Sequence, residues 1–160
     1  MGNSAPVTCP PDLSARPFDL SLARRMPIKA AAIYDAWTRR FDLWFAAPGS
    51  VLMRPEVDAP FFFETVFKLP DTGEIRRHPH YGRFLRLAPD RLVELTWLTG
   101  EGGTEGAETV VRVELDADGR ATTVRLTHSG FPNAAARDCH AQAWRAVLEQ
   151  LEKRLLAEAR

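Results

Sequence analysis

Two cysteines in 160 residues, Cys9 and Cys139, are too few for a disulfide framework. One stands in a Pro-rich stretch and the other in a helical pattern, so both read as reduced thiols of a cytoplasmic protein. Net charge is missing too: 21 Lys and Arg balance 21 Asp and Glu, with no dense basic run. That balance excludes the electrostatic footprint that nucleic acid or an anionic membrane surface demands. No apolar run is long enough to span a bilayer. The opening MGNSAPVTCPPDLSARP lacks the basic and apolar regions of a secretory signal, and Pro6 stands where a myristoylation signal wants Ser or Thr.

What is present, 45% hydrophobic and 26% charged residues, suits one soluble domain with a real core. Arg outnumbers Lys and Ala is abundant, as expected of a bacterium with a GC-rich genome. Residues 1–16 carry Pro6, Pro10 and Pro11 and no apolar period, which predicts a flexible tail before a single domain over 17–160. Phe18, Leu20 and Leu22 alternate with polar residues, a strand with one buried face. Ala30, Ile33, Tyr34 and Trp37 then recur at helical spacing, and Phe41 to Phe45 form a second short cluster ending at Ala46-Ala47-Pro48-Gly49.

From Val51 to His128 alternation returns in about six runs separated by turn signals such as Pro70-Asp71-Thr72-Gly73 and Ala88-Pro89-Asp90. Phe61, Phe63, Thr65 and Phe67 share one strand face, as do Val93, Leu95 and Trp97. After Ser129-Gly130-Phe131-Pro132-Asn133, one amphipathic helix from about Ala134 to Ala157 carries His140, Trp144, Val147, Leu148, Leu151 and Leu155 on one stripe. That helix must cover the apolar sheet face. A twisted sheet curves away from a straight helix, which leaves a gap lined by aromatic side chains.

Five segments carry a resemblance: YDAWT at 34–38, LWFAAPG at 43–49, YGRFLRLAPDRLVELTW at 81–97, LTHSGF at 126–131 and HAQAW at 140–144. Together they resemble the bacterial homologues of the heat-shock-protein-90 ATPase activator, within the START-like, or SRPBCC, superfamily. The resemblance covers about Pro17 to Leu156. It implies an α+β helix-grip fold: a curved antiparallel sheet of about six or seven strands wrapped around a long C-terminal helix, with two short helices after the first strand. Ligand carriers, cyclases, hydrolases and regulators all use that scaffold. Two departures matter. Asp58-Ala59-Pro60 replaces a Gly pair common in relatives, and a short Pro-rich tail stands where the eukaryotic co-chaperones have a separate domain, so a chaperone partner is not expected.

The candidate ligand-binding residues are Trp44, Phe45, Phe63, Phe67, Trp97 and Trp144 as aromatic walls, with Tyr81 or Arg83 as a polar handle. His128 shares strand parity with Val124 and Leu126 and faces the gap, where His140 approaches it from the helix. His128 is the one candidate acid or base; the alternative is a histidine that ends its strand and bonds the neighbouring loop. His78 and His80 have i, i+2 spacing but flank Pro79 and lack a third ligand, which predicts an exposed hairpin and no metal site. Cys139 beside His140 points elsewhere on the helix and reads as a buried, inert thiol. The glycine-rich run Thr99–Gly106 precedes a strand and carries acidic residues, so it is no phosphate loop. It reads as a mobile hairpin over the cavity mouth, gated by Glu105 or Glu108.

The leading expectation is therefore binding of a small hydrophobic molecule, aromatic or lipid-like, with no cofactor. A cyclase, dehydratase or hydrolase using His128 is the first alternative, and a chaperone-regulating or other protein-interaction module the second. A homodimer is left open.

Overall fold

Alternation in the sequence becomes six strands in the computed structural model, which describes residues 9–159. The first eight residues, and the expectations attached to them, lie outside the described residues. Strand β1 (Phe18–Met26) is followed by helices α1 (Ala30–Thr38) and α2 (Phe41–Trp44). Strands β2 (Pro60–Lys68), β3 (Ile75–Ala88), β4 (Leu92–Trp97), β5 (Thr109–Asp118) and β6 (Ala121–Phe131) come next, and α3 (Ala134–Glu158) ends the fold. The sheet order is β1-β6-β5-β4-β3-β2, every neighbour pair antiparallel. This is the expected helix-grip fold. Five strands follow the helices, not six, because Val51–Val57 contributes only single bridges, Leu52 to Phe62 and Val57 to Phe84.

The core follows the two periods. Leu95, Val111, Val113 and Leu126 sit in register across β4, β5 and β6 and are fully buried. Each such side chain contributes roughly 1.5–3 kcal/mol. Trp144, Leu148, Leu151 and Leu155 of α3 cover them. Asn133 starts that helix as the Phe-Pro-Asn break predicts: its Oδ1 accepts the Ala136 N–H at 2.8 Å. Arg24 of β1 donates to Glu152 at 2.7 Å and ties the far end down.

Three local features position the site. At Asp58 φ is +66°, the left-handed conformation that glycine supplies at no steric cost. In β3, a bulge between Phe84 and Arg86 lets both Phe84 and Leu85 be buried. Counting back from Phe84 by twos, Gly82, His80 and His78 face inward, while Tyr81 and Arg83 face outward. Gly82 has no room for a side chain, since a Cβ there would collide with the Phe61 ring and the Thr96 carbonyl.

Residues 9–16 lie across the outer face of the sheet. Arg16 donates to the carbonyls of Gly130 at 2.8 Å and Glu108 at 2.6 Å. The backbone of Gly130, at φ +91°, leaves space for Leu13.

Candidate functional site

Between α3 and the inward face of β2, β3 and β4 lies a cavity of about 190 Å³. Phe45, Trp97 and Trp144 wall it, with Trp97 5.9 Å from Phe45 and 5.3 Å from Trp144 between ring centroids. Thr65, His78 and His80 come from β2 and β3, Thr99, Gly102 and Gly103 from the loop after β4, and Cys139, His140, Ala143 and Val147 from α3. Among the described residues no Lys, Arg, Asp or Glu lines it.

All four histidines of the chain gather around this cavity, but in two different states. His128 lies behind Trp144 and both ring nitrogens are engaged. Thr109 Oγ1 donates to the Trp97 carbonyl at 2.5 Å, so its hydroxyl hydrogen is committed. His128 Nε2, 2.7 Å from the same oxygen, must therefore carry the hydrogen and donate it. Trp144 Nε1 donates to His128 Nδ1 at 3.0 Å, which fixes Nδ1 as the acceptor. The ring is neutral, saturated with partners and buried, and burial holds its pKa well below the ordinary histidine value.

His80 and His140 are the reverse case. Each donates Nδ1–H to a backbone carbonyl, His80 to His78 at 3.0 Å and His140 to Ala136 at 2.8 Å. In a neutral ring Nε2 is then a bare acceptor, and neither Nε2 has a protein partner among the described residues. Burial pushes His80 down to about 3 and lowers His140 and His78 as well. His80 stacks on Phe63 at 4.7 Å and meets Trp97 edge-on at 5.0 Å. His78 Nε2 is buried with no partner among the described residues. At neutral pH these rings are hydrogen-bond acceptors, and an imidazole held near 3 is a poor general base.

The loop after β4 is a locked turn and not the expected mobile hairpin. Thr99 N–H donates to Thr104 Oγ1 at 2.9 Å, Thr104 N–H to Thr99 Oγ1 at 2.8 Å, and Thr104 Oγ1 to the Thr99 carbonyl at 3.0 Å. Thr99 and Thr104 are buried. Glu105 is spent inside the turn, accepting from Gly102 N–H at 3.0 Å, and Glu108 lies 3.9 Å from Arg83 on the outer face, so neither gates the mouth. A Cβ on Gly103 would collide with Thr99 Oγ1, which explains glycine there.

Of the ten residues singled out from the sequence, Phe45, Trp97, His140 and Trp144 line the cavity. Trp44 and Phe63 pack behind it, Trp44 donating its indole N–H to the Ala36 carbonyl at 3.0 Å. His128 supports Trp144 from behind. Phe67 keeps the predicted strand parity, but β2 runs past the end of the covered face and leaves it 49% exposed. Tyr81 and Arg83 sit on the opposite face, Tyr81 against Phe62 and Arg83 paired with Asp58 at 3.2 Å. Cys139 is exposed at the rim and not buried.

His78 and His80, expected on an exposed hairpin, are inward-facing members of β3, and His80 is buried. Two-residue counting from Phe84 would have found them. Among the described residues no three His, Cys, Asp or Glu side chains gather as a metal site would require. No described helix is long and apolar enough to cross a membrane.

Solved structures share this architecture at low identity. The AHSA1 protein of Silicibacter pomeroyi superposes with a TM-score of 0.72 at 20% identity, over 88% of this chain and 99% of that one. A protein of Chromobacterium violaceum gives 0.70 at 20% identity, over 86% and 96%. An HSP90 activator from Plasmodium falciparum gives 0.62 at 16% identity, over 84% and 93%. Among curated proteins no sequence matches. The model of the Activator of Hsp90 ATPase homolog 1-like protein family matches residues 27–156, and the chain belongs to that family.

Proposed function

We propose that the protein binds a small, uncharged, hydrophobic molecule about the size of one aromatic ring. The observation that carries this reading is the cavity itself: about 190 Å³ walled by Phe45, Trp97 and Trp144, with no charged side chain among the described residues that line it. A dry cavity of roughly 150 Å³ accommodates benzene, whereas sites for larger, drug-sized ligands span roughly 300–1,000 Å³. The volume thus favours an aromatic ring over a long lipid chain. An enzymatic role resting on His128 draws no support from a ring whose two nitrogens are both engaged.

The test is an NMR titration with toluene, following the indole N–H resonances of Trp97 and Trp144. Saturable shifts are expected in the wild type. They should vanish in Ala143→Phe, which fills the cavity from an exposed helix position without touching the core. No shift in the wild type, or equal affinity in the variant, overturns the reading.

A second reading, contact with a protein partner or a second copy, is favoured by one feature. The β2–β3 arm leaves Val66, Phe67 and Ile75 exposed at the far end of β2, an edge strand whose bonds to the 47–52 segment stop at Glu64. Sedimentation of the wild type against Phe67→Glu tests it: concentration-dependent association lost in the variant supports it, and a monomer at all concentrations opposes self-association.

A further inference from the structure

The polar inventory of the cavity narrows its occupant, given the binding role proposed above. His80 and His140 are fixed as acceptors, because the backbone carbonyls of His78 and Ala136 accept their Nδ1–H. Their Nε2 lone pairs have no donor among the described residues, in two residues that line the cavity. Trp97 presents the complementary deficit: its indole N–H makes no hydrogen bond among the described residues, and its ring lies 5.0 Å from His80. These three atoms stay open to solvent, so a ligand that enters replaces water at both kinds, whereas Nε2 of His78, also in the lining, is buried without a partner among the described residues.

A hydroxyl is the smallest group that both donates and accepts. A carboxylate would face lone pairs with no cation in the lining, and an ammonium would be desolvated with no counter-ion. We infer that the cavity selects a neutral, single-ring aromatic alcohol, a phenol in chemical class, whose O–H donates to Nε2 of His80 or His140 and whose oxygen accepts from the Trp97 N–H. The flat ring lies between Phe45, Trp97 and Trp144, which offer aromatic faces and edges on several sides. Burial keeps both imidazoles unprotonated at neutral pH, as the acceptor role requires.

Isothermal titration of the full chain with p-cresol, anisole and benzoate tests this. Anisole keeps the ring and the oxygen acceptor but has no donor, and benzoate adds charge. The expected result is p-cresol binding about fivefold or more tighter than anisole, with benzoate not binding. In His80→Phe combined with His140→Leu, folded by circular dichroism, the preference should fall below twofold. Should that pair fail to fold, ¹⁵N shifts of the wild-type imidazoles replace it: Nε2 of His80 or His140 must move on adding p-cresol. Equal affinity for p-cresol and anisole, or unmoved Nε2 shifts, overturns the inference and leaves the aromatic cavity standing. Failure of every aromatic probe to bind overturns both.

Discussion

His128 on β6 and His80 on β3 are both buried, both neutral and both within one ring contact of Trp97, yet they do opposite things. His128 is flanked by Thr109 and Trp144, which take both of its nitrogens. His80 is flanked by aromatic faces and one carbonyl, which take only one. The lesson is that burial alone does not identify a functional histidine. The count of unsatisfied nitrogens separates a ring that braces the wall from a ring that presents a lone pair to whatever enters.

The same substitution at the two positions gives the largest contrast. His128→Phe leaves the Trp144 N–H and the Thr109 hydroxyl with a lost partner in the core, and should cost about 2–4 kcal/mol in urea denaturation. His80→Phe keeps the stacking on Phe63 and leaves no comparable donor stranded, so its cost should stay below about 1 kcal/mol. Equal losses would erase the distinction.

Acid should act on both rings together. Burial lowers the folded-state pKa of each, His80 to about 3, while the unfolded chain titrates near 6.5. Below 6.5 the unfolded state therefore binds more protons, and stability falls as pH drops toward the folded values. The expected slope is about 1.4 kcal/mol per pH unit for each histidine, so these two rings alone account for a loss of about 2–3 kcal/mol between neutral pH and pH 5.5, and the burial of His78 and His140 adds to it. His128→Phe should remove about 1.4 kcal/mol per pH unit from that slope, and an unchanged slope would contradict its neutral state.

Smaller effects sharpen the rest of the site. Gly103→Ala forces a methyl into Thr99 Oγ1 and should cost about 1–3 kcal/mol in urea denaturation; a neutral result would mean that the turn is looser than its hydrogen bonds indicate. Phe67→Ser, at the exposed tip of β2, should change stability by less than about 0.5 kcal/mol and leave ligand affinity alone. A loss of affinity there would put Phe67 back in the cavity wall.

Most of the fold was legible in the sequence because period and punctuation agreed: two-residue alternation ran between turn residues, and one long amphipathic stripe followed Asn133. The site was harder. The bulge at Phe84–Arg86 put two consecutive apolar residues inside and hid which neighbours shared their face, so Tyr81 and Arg83 were chosen where His78 and His80 belonged. Pro79 reinforced the error by resembling a loop. At that point β3 has a neighbour on one side only, so the missing N–H breaks no second ladder. Phe67 followed its strand parity correctly, but parity carries no information about where the covering helix stops. The partners of His128 come from β5 and α3, and hydrogen bonds between distant segments leave no local pattern to read.

The most direct measurement is a long-range ¹H–¹⁵N correlation spectrum of the imidazoles at neutral pH, repeated with p-cresol. His128 should be protonated on Nε2 and silent to the ligand, and His80 and His140 protonated on Nδ1 with the Nε2 signal of at least one displaced. A His128 ring with the opposite tautomer, or one whose nitrogens respond to p-cresol while those of His80 and His140 do not, would contradict this assignment.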